Sequence, residues 1–358
     1  MEEASMNLRF GIIGYGFMGH EHMTLLSDFD GIDVIAICDR EADQMDDAPE
    51  GVAKYTDAAD LLARDDIDVV IISANNNQHL KLVKMAAAAK KNIICEKPVA
   101  LSIPDLEEME KAVAENGVKF TVHQQRRFDP DYRTMKNVFD SDELGDIYTV
   151  QTGLYGYNGN MHDWHIYPEQ GGGMMYDWGV HLIDQMLYMI PGKITSVFAD
   201  VRNVINEQVD DYFKVLLMFE NGITAEVELG TYFLKDEDKW FERHWFMGGN
   251  KGSAYVDGFH PEGKIVHTAH LLQNAGHGRT MTAAGPTRSF GPPSEGLILS
   301  KDIEIAQTTH RMYFENYVKA YRGEEDFLVK IPEVKRVLKV MDAARLSAKT
   351  RKSVDFEA

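Results

Sequence analysis

The chain has 358 residues, 44% hydrophobic and 26% charged, with a formal net charge of −20 and a pI near 5.0. Its length is enough for two cores, and its composition is that of a globular protein, not a disordered one. The negative charge repels nucleic acid and anionic membrane surfaces alike, so neither is expected as a partner. The only two cysteines, Cys38 and Cys95, both lie in apolar runs. They are too few for a disulfide framework or a thiolate zinc site, and they suit a reducing compartment. The opening MEEASMNLRF lacks the basic and apolar regions of a signal peptide. No apolar run approaches the ~20 residues that span a bilayer, so a cytoplasmic protein is expected. Residues 1–5 read as a tail.

In chain order, short apolar runs at 9–14, 33–38, 69–72, 92–95 and 118–122 alternate with helical patterns near 18–28, 57–64, 77–90 and 103–116. Apolar runs without alternation are the mark of parallel strands buried on both faces. The fold class predicted for residues 1–124 is therefore α/β, a doubly wound parallel sheet with right-handed crossovers. From about residue 125 the strands alternate, as in 213–219 and 223–229, which predicts a mostly antiparallel sheet with one covered face in a second domain over 125–358. The Gly- and Pro-containing stretch 258–298 reads as loop. Helices follow near 303–322 and 332–348, with a last strand at 353–356.

The motif Gly14-Tyr15-Gly16-Phe17-Met18-Gly19 follows a predicted strand and opens a predicted helix. That context makes it a dinucleotide cradle. The first glycine permits the tight turn, the second lets a pyrophosphate approach and the third allows close packing, while the helix N-terminus faces the phosphates. Asp39 closes the second strand, where a carboxylate accepts ribose hydroxyls and repels a 2′-phosphate. NAD is the expected cofactor, with Arg40 beside it leaving NADP possible. Glu96-Lys97-Pro98 stands at the carboxyl edge of a strand, where open α/β sheets bind ligands. Pro98 holds Lys97 extended, and an ammonium there stabilises a developing alkoxide; the plain alternative is a surface pair with Glu96. Asp177 and His181, four apart in a helical pattern, are expected on one face, the carboxylate orienting the imidazole and keeping its pKa near neutrality.

Four ordered motifs, GYGFMG, NNNQH at 75–79, CEKP at 95–98 and GGGMMYDWGVH at 171–181, joined by QRRFDP at 125–130, resemble the Gfo/Idh/MocA oxidoreductase family over the whole chain. The resemblance implies a Rossmann domain, an open-faced second sheet packed against another subunit in a homodimer or homotetramer, NAD(P) and a sugar or cyclitol substrate. It makes Lys97 the active-site lysine, places Asn76 and His79 beside the nicotinamide, and counts Glu96 and Lys97 with the cofactor site. Ala74-Asn75 departs from the family's usual Thr-Pro, and Lys90 from its glycine. The expected triad has His181 taking the hydroxyl proton, Asp177 supporting the imidazolium and Lys97 holding the same oxygen, with Lys97 as the alternative proton acceptor that the resemblance leaves open.

Among weaker signals, Arg127, His162, Trp164 and His165 are candidate substrate contacts, the indole offering a flat face to a sugar ring. The loop reading of 162–165 and an Arg–Asp129 pairing stand beside that reading. His260, His267, His270 and His277 read as solvated loop, and no metal is expected. The expected activity is hydride transfer between nicotinamide and a secondary alcohol or ketone of a polyol. Two rivals differ in class: glycoside cleavage through transient oxidation, marked by tightly retained nicotinamide, and a non-catalytic nucleotide sensor, which has no need of a proton relay.

Overall fold

A computed structural model describes residues 7–157, 161–231, 236–271, 280–288 and 291–356; the expected N-terminal tail and His277 lie outside them. The first half is built from β1 (Leu8–Ile13), α1 (Phe17–Leu26), β2 (Ile32–Cys38), β3 (Ala53–Tyr55), α2 (Ala58–Leu62), β4 (Val69–Ile72), α3 (His79–Ala88), β5 (Asn92–Cys95), α4 (Ile103–Asn116) and β6 (Phe120–Val122). The strands form one parallel sheet in the order β3-β2-β1-β4-β5-β6. Val69–Ile72 are completely buried, as the unbroken apolar runs require. The order reverses at β1 and β4, and that switch point opens the crevice in which such sheets bind ligands.

Next come α5 (Pro130–Asp140), β7 (Ile147–Gly156), α6 (Val180–Met189), β8 (Ile194–Arg202), β9 (Tyr212–Phe219), β10 (Thr224–Thr231), β11 (Phe241–Gly249), β12 (Gly252–Asp257) and β13 (Glu262–Thr268). The short β14 (Thr280–Thr282) and β15 (Gly285–Thr287), then β16 (Ile298–Asp302), α7 (Arg311–Tyr321), α8 (Ile331–Thr350) and β17 (Val354–Asp355) complete the chain. A nine-stranded sheet runs β16-β13-β12-β11-β7-β10-β9-β8-β17, antiparallel except where β7 and β10 lie parallel. Its inner face, with Val215, Leu217, Ala225, Val227, Trp245 and Met247, is buried under α5, α6 and α8.

Three features correct the sequence reading. β3 was not anticipated, being three residues with no fully buried side chain. The stretch read as loop at 258–298 holds β13 and the β14–β15 hairpin, and the alternation in β13 is masked because only Ile265 is buried. The helix expected over 303–322 begins only at Arg311 and packs against the first sheet. In it the Tyr313 hydroxyl donates to the Val122 carbonyl at 3.0 Å, and Tyr317 meets Phe10 edge to face.

Candidate active site

The glycine motif does what its spacing requires. Gly14 has φ +95°, and a Cβ there would lie 2.4 Å from the Ala74 nitrogen; one on Gly19 would lie 2.3 Å from the Gly14 carbonyl oxygen. At Gly16 a Cβ would meet nothing within 4 Å, so the open side of the turn is here. Gly16 also begins α1 without any side-chain cap, leaving the helix's first N–H groups to an anion. Asp39 accepts from the Tyr15 N–H at 2.7 Å and the Glu41 N–H at 3.0 Å, which fixes its carboxylate at the rim of the turn. Tyr15 is buried, whereas Phe17 is 79% exposed on the helix's first turn and Arg40 is exposed beside Asp39. An open cradle, uncapped N–H groups and an acid at its edge fit a dinucleotide.

At the end of β5 the Lys97 ammonium donates to Asp177 Oδ1 at 2.9 Å and to the Asp177 carbonyl at 3.2 Å. These side chains are 13% and 17% exposed. The alternative pairing with Glu96 does not form; Glu96 Oε2 accepts only the Lys97 main-chain N–H, at 3.2 Å. Instead Glu96 is buried between two imidazoles, accepting from His22 Nε2 and His123 Nδ1, both at 2.7 Å. Burial works against its charge, but the flanking histidines hold the carboxyl well below the usual range. The three side chains have the composition of a His₂Glu metal site, yet their donor atoms are hydrogen-bonded to one another. The Glu96 side chain expected at the cofactor site is therefore buried and taken up by the two histidines.

Asp177 lies in a wide turn of π geometry, Met175–Gly179, that leads into α6. The turn is started by Gly173, at φ +97°, against the Asp210 carboxylate, which accepts from the Met175 N–H at 2.7 Å. The Tyr176 hydroxyl reaches across to the Leu101 carbonyl at 2.8 Å, tying the turn to the first half of the chain. Burial raises the Asp177 pKa, but Lys97 and His165, whose Nε2 lies 3.6 Å from Oδ2, outweigh it and hold the carboxyl well below its ordinary value.

The expected Asp177–His181 bond is absent. Asp177 turns to the lysine, whose full charge attracts it more strongly than a neutral ring does, and His181 Nδ1 donates to Gln124 Oε1 at 2.9 Å. Nor is His181 held near neutrality: burial, then the charges of Lys97 and Arg126, push its pKa well below the ordinary histidine value. The ring is therefore neutral, with its proton on Nδ1 and a lone pair on Nε2.

Asn76 donates to the Gln170 carbonyl at 2.9 Å. His79 is fully buried, its Nδ1 3.0 Å from the Pro98 carbonyl and its Nε2 2.9 Å from that of Ala74, and burial lowers its pKa. The neutral ring donates to one of these two carbonyls, so this histidine sits between the loops around the site with one N–H bond to hold it. Arg127 is a further correction. It is 1% exposed, bound by Asp184 at two contacts of 2.7 Å and by Glu333 at 2.8 Å, so no substrate reaches it. A cavity of about 300 Å³ abuts Asp177 and is lined by His162 and His165; Trp164 stacks on His165 at 3.9 Å but does not line it. The sequence reading missed Gln124 and the aromatic walls Trp178, Trp240 and Phe241. Trp178 stands in the quoted motif beside Asp177. Trp240 and Phe241 reach the site only because β11 pairs with β7.

Residues 8–124 match the family model described as an oxidoreductase family with an NAD-binding Rossmann fold, and residues 132–255 match the GFO/IDH/MocA C-terminal domain. The inositol 2-dehydrogenase of Salmonella typhimurium is 30% identical over 257 residues, covering 70% of this chain and 74% of the relative. An uncharacterised oxidoreductase of Bacillus subtilis, YrbE, is 30% identical over 270 residues, 73% of this chain and 77% of the relative. A crystal structure of an NAD-binding protein from Listeria innocua superposes with a TM-score of 0.90 at 30% identity, over 98% of this chain and all of the other.

Proposed function

The chain belongs to the Gfo/Idh/MocA oxidoreductase family and is an NAD-binding dehydrogenase, and on that premise we propose that it oxidises a secondary alcohol of a cyclic polyol, a sugar or cyclitol, to the ketone. The observation that carries this reading is the Lys97 ammonium held by Asp177 at 2.9 Å after the end of β5, with the buried His181 ring one helical turn beyond Asp177. Gly14–Gly19 and Asp39 would hold the cofactor, which when bound supplies the two-electron acceptor. Asp177 fixes the Lys97 ammonium, which donates to the alcohol's oxygen and stabilises negative charge as it develops there. Gln124 keeps the His181 proton on Nδ1, so Nε2 is the atom that accepts the hydroxyl proton. Asp177 is thus a positioning residue for the lysine.

The outer face of the second sheet supports self-association. Phe198, Met218 and Phe246 are 43%, 45% and 38% exposed, alternating with the buried inner residues of their strands, and with the Lys214–Glu226 pair between them they make a mixed apolar and charged face suited to a second copy. Both cysteines are free and buried, in keeping with a cytoplasmic setting. No described helix is long and apolar enough to cross a membrane.

The test is a panel of inositols, aldoses and their ketones, followed by reduced-nicotinamide absorbance with NAD and NADP. Oxidation of at least one polyol with NAD is expected. Tight NAD binding with no turnover of any polyol or ketone would overturn the reading in favour of a sensor.

A further inference from the structure

The concave space at this site is not centred on the lysine. The cavity of about 300 Å³ begins at Asp177 and His165 and runs over the ends of β7, β10 and β11, with neither Lys97 nor His181 in its lining. A ring held at Lys97 therefore leaves the cavity beyond Asp177 to something attached to that ring. The far walls are aromatic. Trp178 meets Phe241 at 5.9 Å, Trp240 stacks on Phe241 at 5.7 Å, and Tyr157 lines the same wall. Trp240 and Tyr157 remain 57% and 56% exposed and Phe241 38%. Single exposed aromatics are ordinary, but three clustered at the mouth of a cavity mark a surface that a ligand covers.

The polar lining sets the ligand's charge. Among the described residues it consists of the Asp177 carboxylate with His162, His165 and the Tyr157 hydroxyl, and no lysine or arginine lines it. Arg126 lies nearby, but it is stacked on Trp178 at 4.1 Å and paired with Asp129 at 3.2 Å. Among the described residues, a phosphate or carboxylate would meet the Asp177 carboxylate here and no lysine or arginine beyond the Lys97 that this carboxylate already holds. An uncharged ring with apolar C–H faces and hydroxyl edges matches both parts of the lining, the faces against the indoles and the hydroxyls toward the imidazoles.

Resting on the polyol dehydrogenase reading, we infer that the substrate is an uncharged glycoside, whose second ring, a sugar or an aryl group, occupies the aromatic cavity while the first is oxidised at Lys97. The oxidation is otherwise unchanged: the hydroxyl proton goes to His181 and the carbinol hydrogen leaves with its electron pair to NAD⁺, giving the keto-glycoside.

The test is calorimetric binding to the NAD-loaded protein, with turnover measured in parallel, of D-glucose, phenyl α- and β-D-glucopyranosides, maltose, cellobiose and glucose 6-phosphate. At least one two-ring ligand should bind about tenfold or more tightly than D-glucose, and glucose 6-phosphate should show no such gain. The phenyl and disaccharide arms distinguish an aryl from a sugar second ring. Trp240→Ala should shrink the two-ring advantage several-fold, and Trp240→Phe should retain most of it. D-glucose binding as tightly as every two-ring ligand, an advantage indifferent to Trp240→Ala, or no binding by any of them would each overturn the inference. Binding of two-ring ligands without turnover of any polyol would sink the dehydrogenase reading alone. Polyol turnover without a two-ring advantage would sink only the glycoside.

Discussion

Removing the charge of Asp177 tests how the two halves of the site are joined. The Lys97–Asp177 contact is 2.9 Å long, with side chains 13% and 17% exposed. Two unit charges at that separation attract by about 6 kcal/mol at an effective dielectric of about 20, before desolvation is set against the attraction. Asp177→Asn keeps an acceptor oxygen, and the Asp177 carbonyl still takes a bond from the ammonium. The single substitution should therefore cost only about 1.5–3 kcal/mol. In a double-mutant cycle with Lys97→Met, the two singles should sum to about 2–3 kcal/mol more than the double, because the double leaves no uncompensated charge. Urea unfolding at pH 7 measures this, followed by far-UV circular dichroism and tryptophan fluorescence, whose coincidence licenses a two-state fit. Costs that add to within about 0.5 kcal/mol would refute the pair as a buried tie between β5 and the turn before α6.

Arg127→Leu should destabilise by about 3–5 kcal/mol, since it strands Asp184 in the core. It should leave KM for the polyol unchanged; a raised KM with intact stability would return Arg127 to the substrate site. For His181 the folded pKa is depressed, so its contribution to stability is complete above the ordinary value of about 6.5 and is lost as pH falls below it. His181→Gln should therefore lose less stability than the wild type between pH 7.5 and 5.5, and parallel thermal midpoints would count against a buried neutral ring. Asp39→Ala should narrow the preference in kcat/KM for NAD over NADP by about 10–100-fold, whereas a wild-type preference for NADP would show Arg40 outweighing Asp39.

What was legible in the sequence was local. Gly14, Gly16, Gly19 and Asp39 act within one strand–turn–helix unit, so their spacing carries their roles. Lys97 was placed by the strand end and the proline after it. The partner of Asp177 was misread because four-residue spacing reports a shared helical face but not which distant charge competes for the carboxylate; here that charge comes from β5. Gln124 ends up on His181 through contact of segments 57 residues apart. β13 was hidden because a strand with one buried side chain has no hydrophobic period to detect. The docking of α7 on the first sheet was equally out of reach, since an amphipathic pattern does not name the surface it covers.

The most direct test of the central claim is to measure kcat on the oxidised polyol and the dissociation constant for NAD in the same His181→Ala protein. Loss of the proton acceptor should lower kcat by about 10²–10⁴-fold, while NAD affinity should change little because the contacts we propose for it lie in Gly14–Gly19 and Asp39. A kcat near the wild-type value would contradict the account and leave the proton to depart through Lys97 or water.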